Sequence, residues 1–282
     1  MAGGCAPVPG GSRAGLTVDG GDRLRRSLDD LRHGLLAVDL WGYLGWHDIR
    51  QRYRRSLLGP FWLTLSTAIF VGAIGFLYSK FFGQTLVRFL PFVAIGFIVW
   101  VMIQTSLNEA CLVFVEAESV IKQIRMPFSA HVSRMLCRNA VIFLHNFAIV
   151  PAVMLVAGVT PGWALLVLPV SLALLAWNCF WAALLLATVC TRFRDVPPII
   201  SSLLQLVFFV SPVIWLPEIL GNRGWVAAFN PVHHFMEMFR APVLDGRVPL
   251  VSFGVALAIA LAGSALALAV FARFRHRLAY WL

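Results

Sequence analysis

Charge is what this chain has least of. Asp, Glu, Lys and Arg make up 13% of its 282 residues, and only thirteen are acidic. None of the acids lies inside a long apolar block; Glu109 stands at the end of one. Ion-coupled carriers and intramembrane enzymes depend on ionisable groups held at membrane depth, which this sequence does not offer. The phosphate-cradling patterns GxxxxGKS and GxxxxGKT are also absent, so energy for active transport must come from a partner. Cys5, Cys111, Cys137, Cys179 and Cys190 show no paired or metal-like spacing and read as small buried apolar residues. His145 is the one histidine within an apolar block and reads as a hydrogen-bonded packing residue. The pair His233–His234 has no ligand cluster around it, so no metal is assigned. The first ~30 residues lack the apolar core of a secretory signal, and residues 1–34 are expected to be a disordered cytoplasmic tail.

What is abundant is apolar and aromatic. The chain is 60% hydrophobic with ten Trp and 22 Phe, far outside soluble usage. A formal charge of +10 could suggest nucleic acid, but the arginines sit between apolar blocks, which fits membrane orientation and no nucleic-acid partner. Five blocks, 57–79, 89–107, 139–191, 196–217 and 248–271, carry no charged residue. A span needs about 20 residues, so the third block is two spans joined at Val159-Thr160-Pro161-Gly162. The expectation is an all-α integral membrane protein with six transmembrane helices over 58–272. With both termini cytoplasmic, 18 Lys and Arg fall inside and five outside, a strong positive-inside bias. The C-terminal residues 273–282 form a cytoplasmic tail on this reading.

Three connections carry further signals. Residues 35–57 predict an amphipathic interface helix in the headgroup plane: Trp46, Ile49, Tyr53 and Leu57 share one stripe, with Asp48, Gln51, Arg52 and Arg55 opposite and Arg50 and Arg54 nearby. Residues 116–127 predict a short charged helix ending at Pro127, with Glu118 and Lys122 in the favourable i,i+4 order. Residues 218–247 are too short to cross twice, and Asn230-Pro231 reads as a cap and first-turn proline. A re-entrant helix pair before the last span fits that length.

Six stretches in order resemble the permease subunit of polysaccharide and polyol-phosphate ABC exporters, the type-2 ABC family of O-antigen, capsule and teichoic acid export. They are Asp48-Ile49-Arg50-Gln51-Arg52-Tyr53-Arg54 with Leu58-Gly59-Pro60-Phe61-Trp62; Ile124-Arg125-Met126-Pro127; Phe193-Arg194-Asp195-Val196; Ser211-Pro212-Val213-Ile214; Asn230-Pro231 with Arg240; and Arg277-Leu278-Ala279-Tyr280-Trp281. His47 departs from the family's usual Arg, and residues 1–34 have no counterpart in it. The resemblance implies a homodimeric channel in the bacterial inner membrane over two ATPase subunits, which bind the ATP and Mg; this chain binds no cofactor. It implies a lipid-linked glycan substrate among membrane lipids. Residues Glu116, Glu118, Ser119, Ile121, Lys122, Arg125, Met126 and Pro127 would receive the ATPase stroke, with the interface helix (Arg50, Arg52, Tyr53, Arg54, Arg55) beside them. Residues Asn230, Pro231, Phe235 and Arg240 would belong to an outer gate. A sliding glycan suits an aromatic lining, for which Trp62, Phe70, Phe76, Phe92, Trp100, Phe208, Phe209 and Trp215 are available.

Two other readings compete. A glycan-modifying transferase would need a positioned acid and base, for which Glu237 with His233 or His234 is the faint candidate. A small-molecule or drug exporter of the same ABC class is the alternative within the family.

Overall fold

The structure is a computed structural model that describes residues 20–52, 54, 61–160, 162–218, 221 and 225–282. The expected contributions of Tyr53, Arg55, Leu57, Pro161 and residues 1–19 lie outside that set, as does the Arg52 side chain. Among the described residues every regular element is helical. Five stretches are long and apolar enough to cross a bilayer: Phe61–Phe81, Leu86–Ala110, Phe128–Ala157, Trp163–Arg192 and Leu250–Trp281.

In chain order the helices are α1 (Gly20–Leu36), α2 (Val38–Arg52), α3 (Phe61–Phe81), α4 (Leu86–Ala110), α5 (Val113–Glu116), α6 (Glu118–Gln123), α7 (Phe128–Phe147), α8 (Ile149–Ala157), α9 (Leu168–Arg192), α10 (Val196–Val210), α11 (Trp225–Ala228), α12 (Pro231–Arg240) and α13 (Leu250–Trp281). The most enclosed span is α4, and the least is α3. Prolines set several boundaries. Pro151 cannot donate to the Phe147 carbonyl, and the helix breaks at Ala148 into α7 and α8. Pro197 and Pro198 open α10, and Ser211-Pro212 closes it.

Four expectations change. The block 196–217 is not one uninterrupted span: α10 has 15 residues and rises about 22 Å, short of a ~30 Å hydrocarbon core. The third long apolar helix starts at Phe128, eleven residues before the uncharged block, and carries Arg134 and Arg138, both paired with carboxylates, on its second and third turns. The final residues are no tail: α13 runs unbroken to Trp281, with Leu278 buried and the Arg192 guanidinium 5.4 Å from the Trp281 ring. The expected tail 1–34 is helical from Gly20, and α1 is docked.

That docking has a clear cause. Pro127 occupies the N-cap of α7 and brings no side-chain acceptor for the free first-turn amides. Asp30 supplies one from 98 residues away. Its fully buried carboxylate accepts from the amides of Phe128 (3.3 Å) and Ser129 (3.1 Å) and from the Arg275 guanidinium of α13 at 2.8 Å. Ser129 Oγ donates back to the Asp30 carbonyl at 2.8 Å. A negative charge at a helix N-terminus is favoured by the helix dipole as well. Gly34 permits the close approach, since a Cβ there would stand 2.9 Å from the Ala130 amide.

Replacing Asp30 by Ala strips the α7 cap and leaves Arg275 unpaired, an expected loss of about 3 kcal/mol. Thermal unfolding of the purified protein measures it. Arg275→Ala, whose side chain is partly exposed, should lower the midpoint less. An unchanged midpoint in Asp30→Ala would mean that α1 is not docked in solution.

Candidate functional site

One end of the bundle gathers the charged side chains. There α4 ends, and the chain makes α5, a break at Ala117, α6, and an extended Ile124–Pro127 before α7 begins. No residue of α6 is buried, and Ser119, Lys122, Ile124 and Arg125 are exposed, while Ile121 packs against the core and Met126 and Pro127 are half-buried. The expected pair forms, with Lys122 Nζ donating to Glu118 Oε1 at 2.6 Å. This hydrogen bond, with the Lys122 charge, holds the Glu118 carboxyl below the usual carboxylate range. The sequence-derived set Glu116 to Pro127 is therefore one projecting turn with an apolar root and a charged crest.

A charge network that the sequence reading missed lies directly behind it. Arg134 grips Asp48 with two donors, Nε at 2.7 Å and Nη2. Arg138 reaches Asp48 at 3.6 Å and Glu109 at 2.7 Å, and Asn139 Nδ2 adds 2.9 Å to the same Glu109 oxygen. Asp48, Glu109, Arg134 and Arg138 line a cavity of about 290 Å³ together with Glu116 and His131. They join α2, α4 and α7 at the base of the projecting turn. The available signal was the i,i+4 arginine pair Arg134 and Arg138, set opposite two isolated acids.

This network corrects the interface-helix geometry. Asp48 points into the protein, and Ile49 is buried rather than lipid-facing. Gly45 lets α2 lie close on α7, where a Cβ would be 3.1 Å from the Arg134 carbonyl. Trp46 stays exposed, as do Arg50 and Arg54.

The opposite end is held by one arginine. Asn230 caps α12 as expected, its Oδ1 accepting from the Val232 amide at 2.9 Å, and its Nδ2 donates to Ser211 Oγ at 2.9 Å. Pro231 takes the first helical position, and Phe235 is buried. At the end of α12, Arg240 is buried and donates to three carbonyls: Phe92 (3.1 Å), Pro212 (2.7 Å) and Val213 (3.0 Å). Its guanidinium lies 3.5 Å from the centre of the Phe92 ring. Gly96 makes the room, since any Cβ there would collide with the guanidinium. A π-turn at Ala241–Asp245 and Gly246 at φ +63° then reverse the chain, and Arg247 bonds Asp245 at 3.0 Å and Glu237 at 2.6 Å. Two of the three transferase candidates are occupied here, Glu237 by Arg247 and His234 by Ser252 Oγ (3.0 Å) and the Ala228 carbonyl (2.8 Å), while Nδ1 of the third, His233, is buried without a hydrogen-bond partner.

The eight aromatics divide. Trp62, Phe70, Phe76 and Phe209 are exposed on α3 and α10, Phe70 stacking on Phe97 at 4.4 Å. Phe208 and Trp215 are half-buried. Trp100 is 1% exposed and packs 5.6 Å from Phe208, so it is a core residue of the protomer rather than a surface that a lumen could reach. Phe92 lies beneath Arg240 and belongs to the clamp.

Comparison with known proteins adds to this geometry. Residues 39–244 match the ABC-2 type transporter family. The O-antigen export system permease protein RfbA of Myxococcus xanthus is 25% identical over 209 residues, covering 72% of this chain and 79% of that protein. A protein of the same name from Klebsiella pneumoniae is 18% identical over 237 residues, covering 82% and 90% respectively.

Arg240→Lys keeps the charge but cannot fan donors to three carbonyls. It should destabilise by about 2 kcal/mol, and Arg240→Ala, which strands those acceptors, by about 3 kcal/mol or more. Gly96→Ala should match the larger loss. Denaturation of the purified variants tests the order; an Arg240→Lys variant as stable as wild type would remove the clamp from the account.

Proposed function

The chain belongs to the ABC-2 type transporter family, and from that membership we propose that it is the permease through which a lipid-linked, O-antigen-like polysaccharide leaves the cytoplasm, driven by a separate ATPase subunit. The observation that carries the reading is the projecting turn at residues 116–127, charged at its crest and rooted in the core. A turn of that form suits docking into a groove of a partner. The names of the relatives support polysaccharide over a small-molecule cargo.

On this reading the charged end faces the cytoplasm of a bacterial inner-membrane protein, consistent with its share of Lys and Arg. Both termini then lie inside, α10 with residues 211–217 serves as a sixth, interrupted crossing, and residues 218–247 dip in and return as an outer gate. Backbone that leaves the helix at membrane depth is tolerated where protein buries it, and Arg240 satisfies that condition at residues 212 and 213. Two copies would meet across the exposed aromatic faces of α3 and α10, with Trp62, Phe70, Phe76 and Phe209 toward the glycan. Such rings stack on sugars without holding a charged chain in place. This subunit does no chemistry itself; the partner's ATP hydrolysis pushes on the turn, whose root is joined to α2, α4 and α7 by Asp48, Glu109, Arg134 and Arg138.

Glu118→Lys combined with Arg125→Glu tests the coupling. The two positions lie on the exposed turn, so the fold should survive. The variant should still co-purify at reduced yield with the ATPase subunit, while glycan export to the cell surface falls about tenfold or more, as expected from reversing charges in an interface. Export at the wild-type rate would refute the assignment. A chain whose loss leaves surface polysaccharide intact would refute the substrate.

A further inference from the structure

The docking of α1 leaves a second face of that helix unused. Its buried side is Ser27, Asp30 and Gly34. Beside them run Leu24, Leu28, Leu31 and Leu35, which at 100° per residue fall within roughly 60° of arc. Leu24, Leu28 and Leu35 are exposed, and Leu31 packs on the core. Arg25 and Arg32, both exposed, follow on the far side of the stripe. Leucines flanked by arginines are the pattern of a helix lying in the headgroup plane. It is a second stripe of that kind, beside the one expected at residues 35–57.

Beneath α1 opens an apolar groove of about 690 Å³ between α7, α9 and α13. Leu31, Leu35 and Trp41 form its rim, and Trp177, whose indole donates to Ser264 Oγ at 3.0 Å, closes its deep end. It opens sideways, with Leu144 54% and Trp177 41% exposed. Its lining on α7 runs from Ser133 to Leu144. That is about 8 to 24 Å from the start of α7 at 1.5 Å per residue. A headgroup layer plus half of a ~30 Å hydrocarbon core covers the same depth.

We propose that this groove holds an acyl chain of an anionic phospholipid from the leaflet at the charged end, with the lipid phosphate bound by Arg25 and Arg32. An aqueous occupant would leave the groove walls wet, and they carry almost no polar group. A chain within the bilayer removes that surface from water at no cost in unpaired donors. The arginines beside the rim select the headgroup sign. The inference rests on the chain being membrane-embedded and is independent of its cargo.

Photolabelling tests it. The full-length protein is reconstituted in phosphatidylethanolamine vesicles containing phosphatidylglycerol with a diazirine in its acyl chain, and labelled peptides are mapped. Label on the groove stretches of α7 and α13 should exceed that on the exposed face of α8, at Leu155 and Val156. Ala140→Phe, or Ala176→Phe should the first fail to fold, fills the groove and should bring its label down to the α8 level. Arg25→Gln with Arg32→Gln should reduce groove label about tenfold, since each arginine near an anionic headgroup contributes on the order of a few-fold or more. Groove label equal to α8 label in the wild type overturns the site. Equal labelling by diazirine-tagged phosphatidylethanolamine overturns the choice of an anionic lipid. Cross-linking of two copies through Cys137, which lines the groove, would mean that a second protomer fills it and would overturn the proposal outright.

Discussion

A buried arginine without a carboxylate partner within its hydrogen-bonding shell has to find its stabilisation in backbone dipoles, and Arg240 shows what that requires. An intact helix has already committed its carbonyls to its own ladder. Two of the three acceptors of Arg240 come from a place where a helix stops, for Pro212 stops α10. The carbonyls of Pro212 and Val213 turn to the guanidinium, and Phe92, within α4, adds a third carbonyl and a ring face against the cation. The end of α10, the glycine at 96 and the position of α12 thus all bear on one desolvated cation. Removing any one of them strands either the charge or its acceptors.

The other end solves the same problem with carboxylates. Asp30 serves two helices, capping α7 and pairing with Arg275 of α13, while Asp48 and Glu109 divide the arginines of α7 between them. Three widely separated parts of the chain are closed around the start of α7, directly after the projecting turn. The expense of an unpaired charge in a low-dielectric setting makes these contacts specific as well as stabilising.

Features governed by neighbours in sequence were legible before the structure. The Asn230 cap, the Pro231 start, the Glu118–Lys122 pair and the hairpin between residues 139 and 191 all depend on residues a few places apart. Features that depend on a distant partner were not. A helical wheel for residues 46–57 sorts Asp48 from Ile49 but cannot say which side meets α7, and both side chains turned out to face the protein. The leucine stripe of α1 was present in the sequence, yet the surrounding Gly, Pro and Arg composition of residues 1–34 obscured its spacing. Trp100 looked like its fellow span aromatics, and only packing against Phe208 distinguishes it.

Among the described residues, α4 is the helix that touches both systems. Glu109 near one end joins the charge network, and Phe92 and Gly96 near the other seat Arg240. Those contacts are about 26 Å apart along an unbroken helix with no internal glycine hinge beyond Gly96, which is itself pinned. A packed helix of that kind moves as a body, because its interior neighbours are close-packed and resist local bending. In the proposed exporter, displacement of the turn at residues 116–127 would therefore reach the segment at residues 211–213 through α4 without any side chain having to relay it. The alternative, a flexible α4, would require the clamp and the charge network to act independently, and Gly96 would then be expected to remain open rather than be filled by a guanidinium.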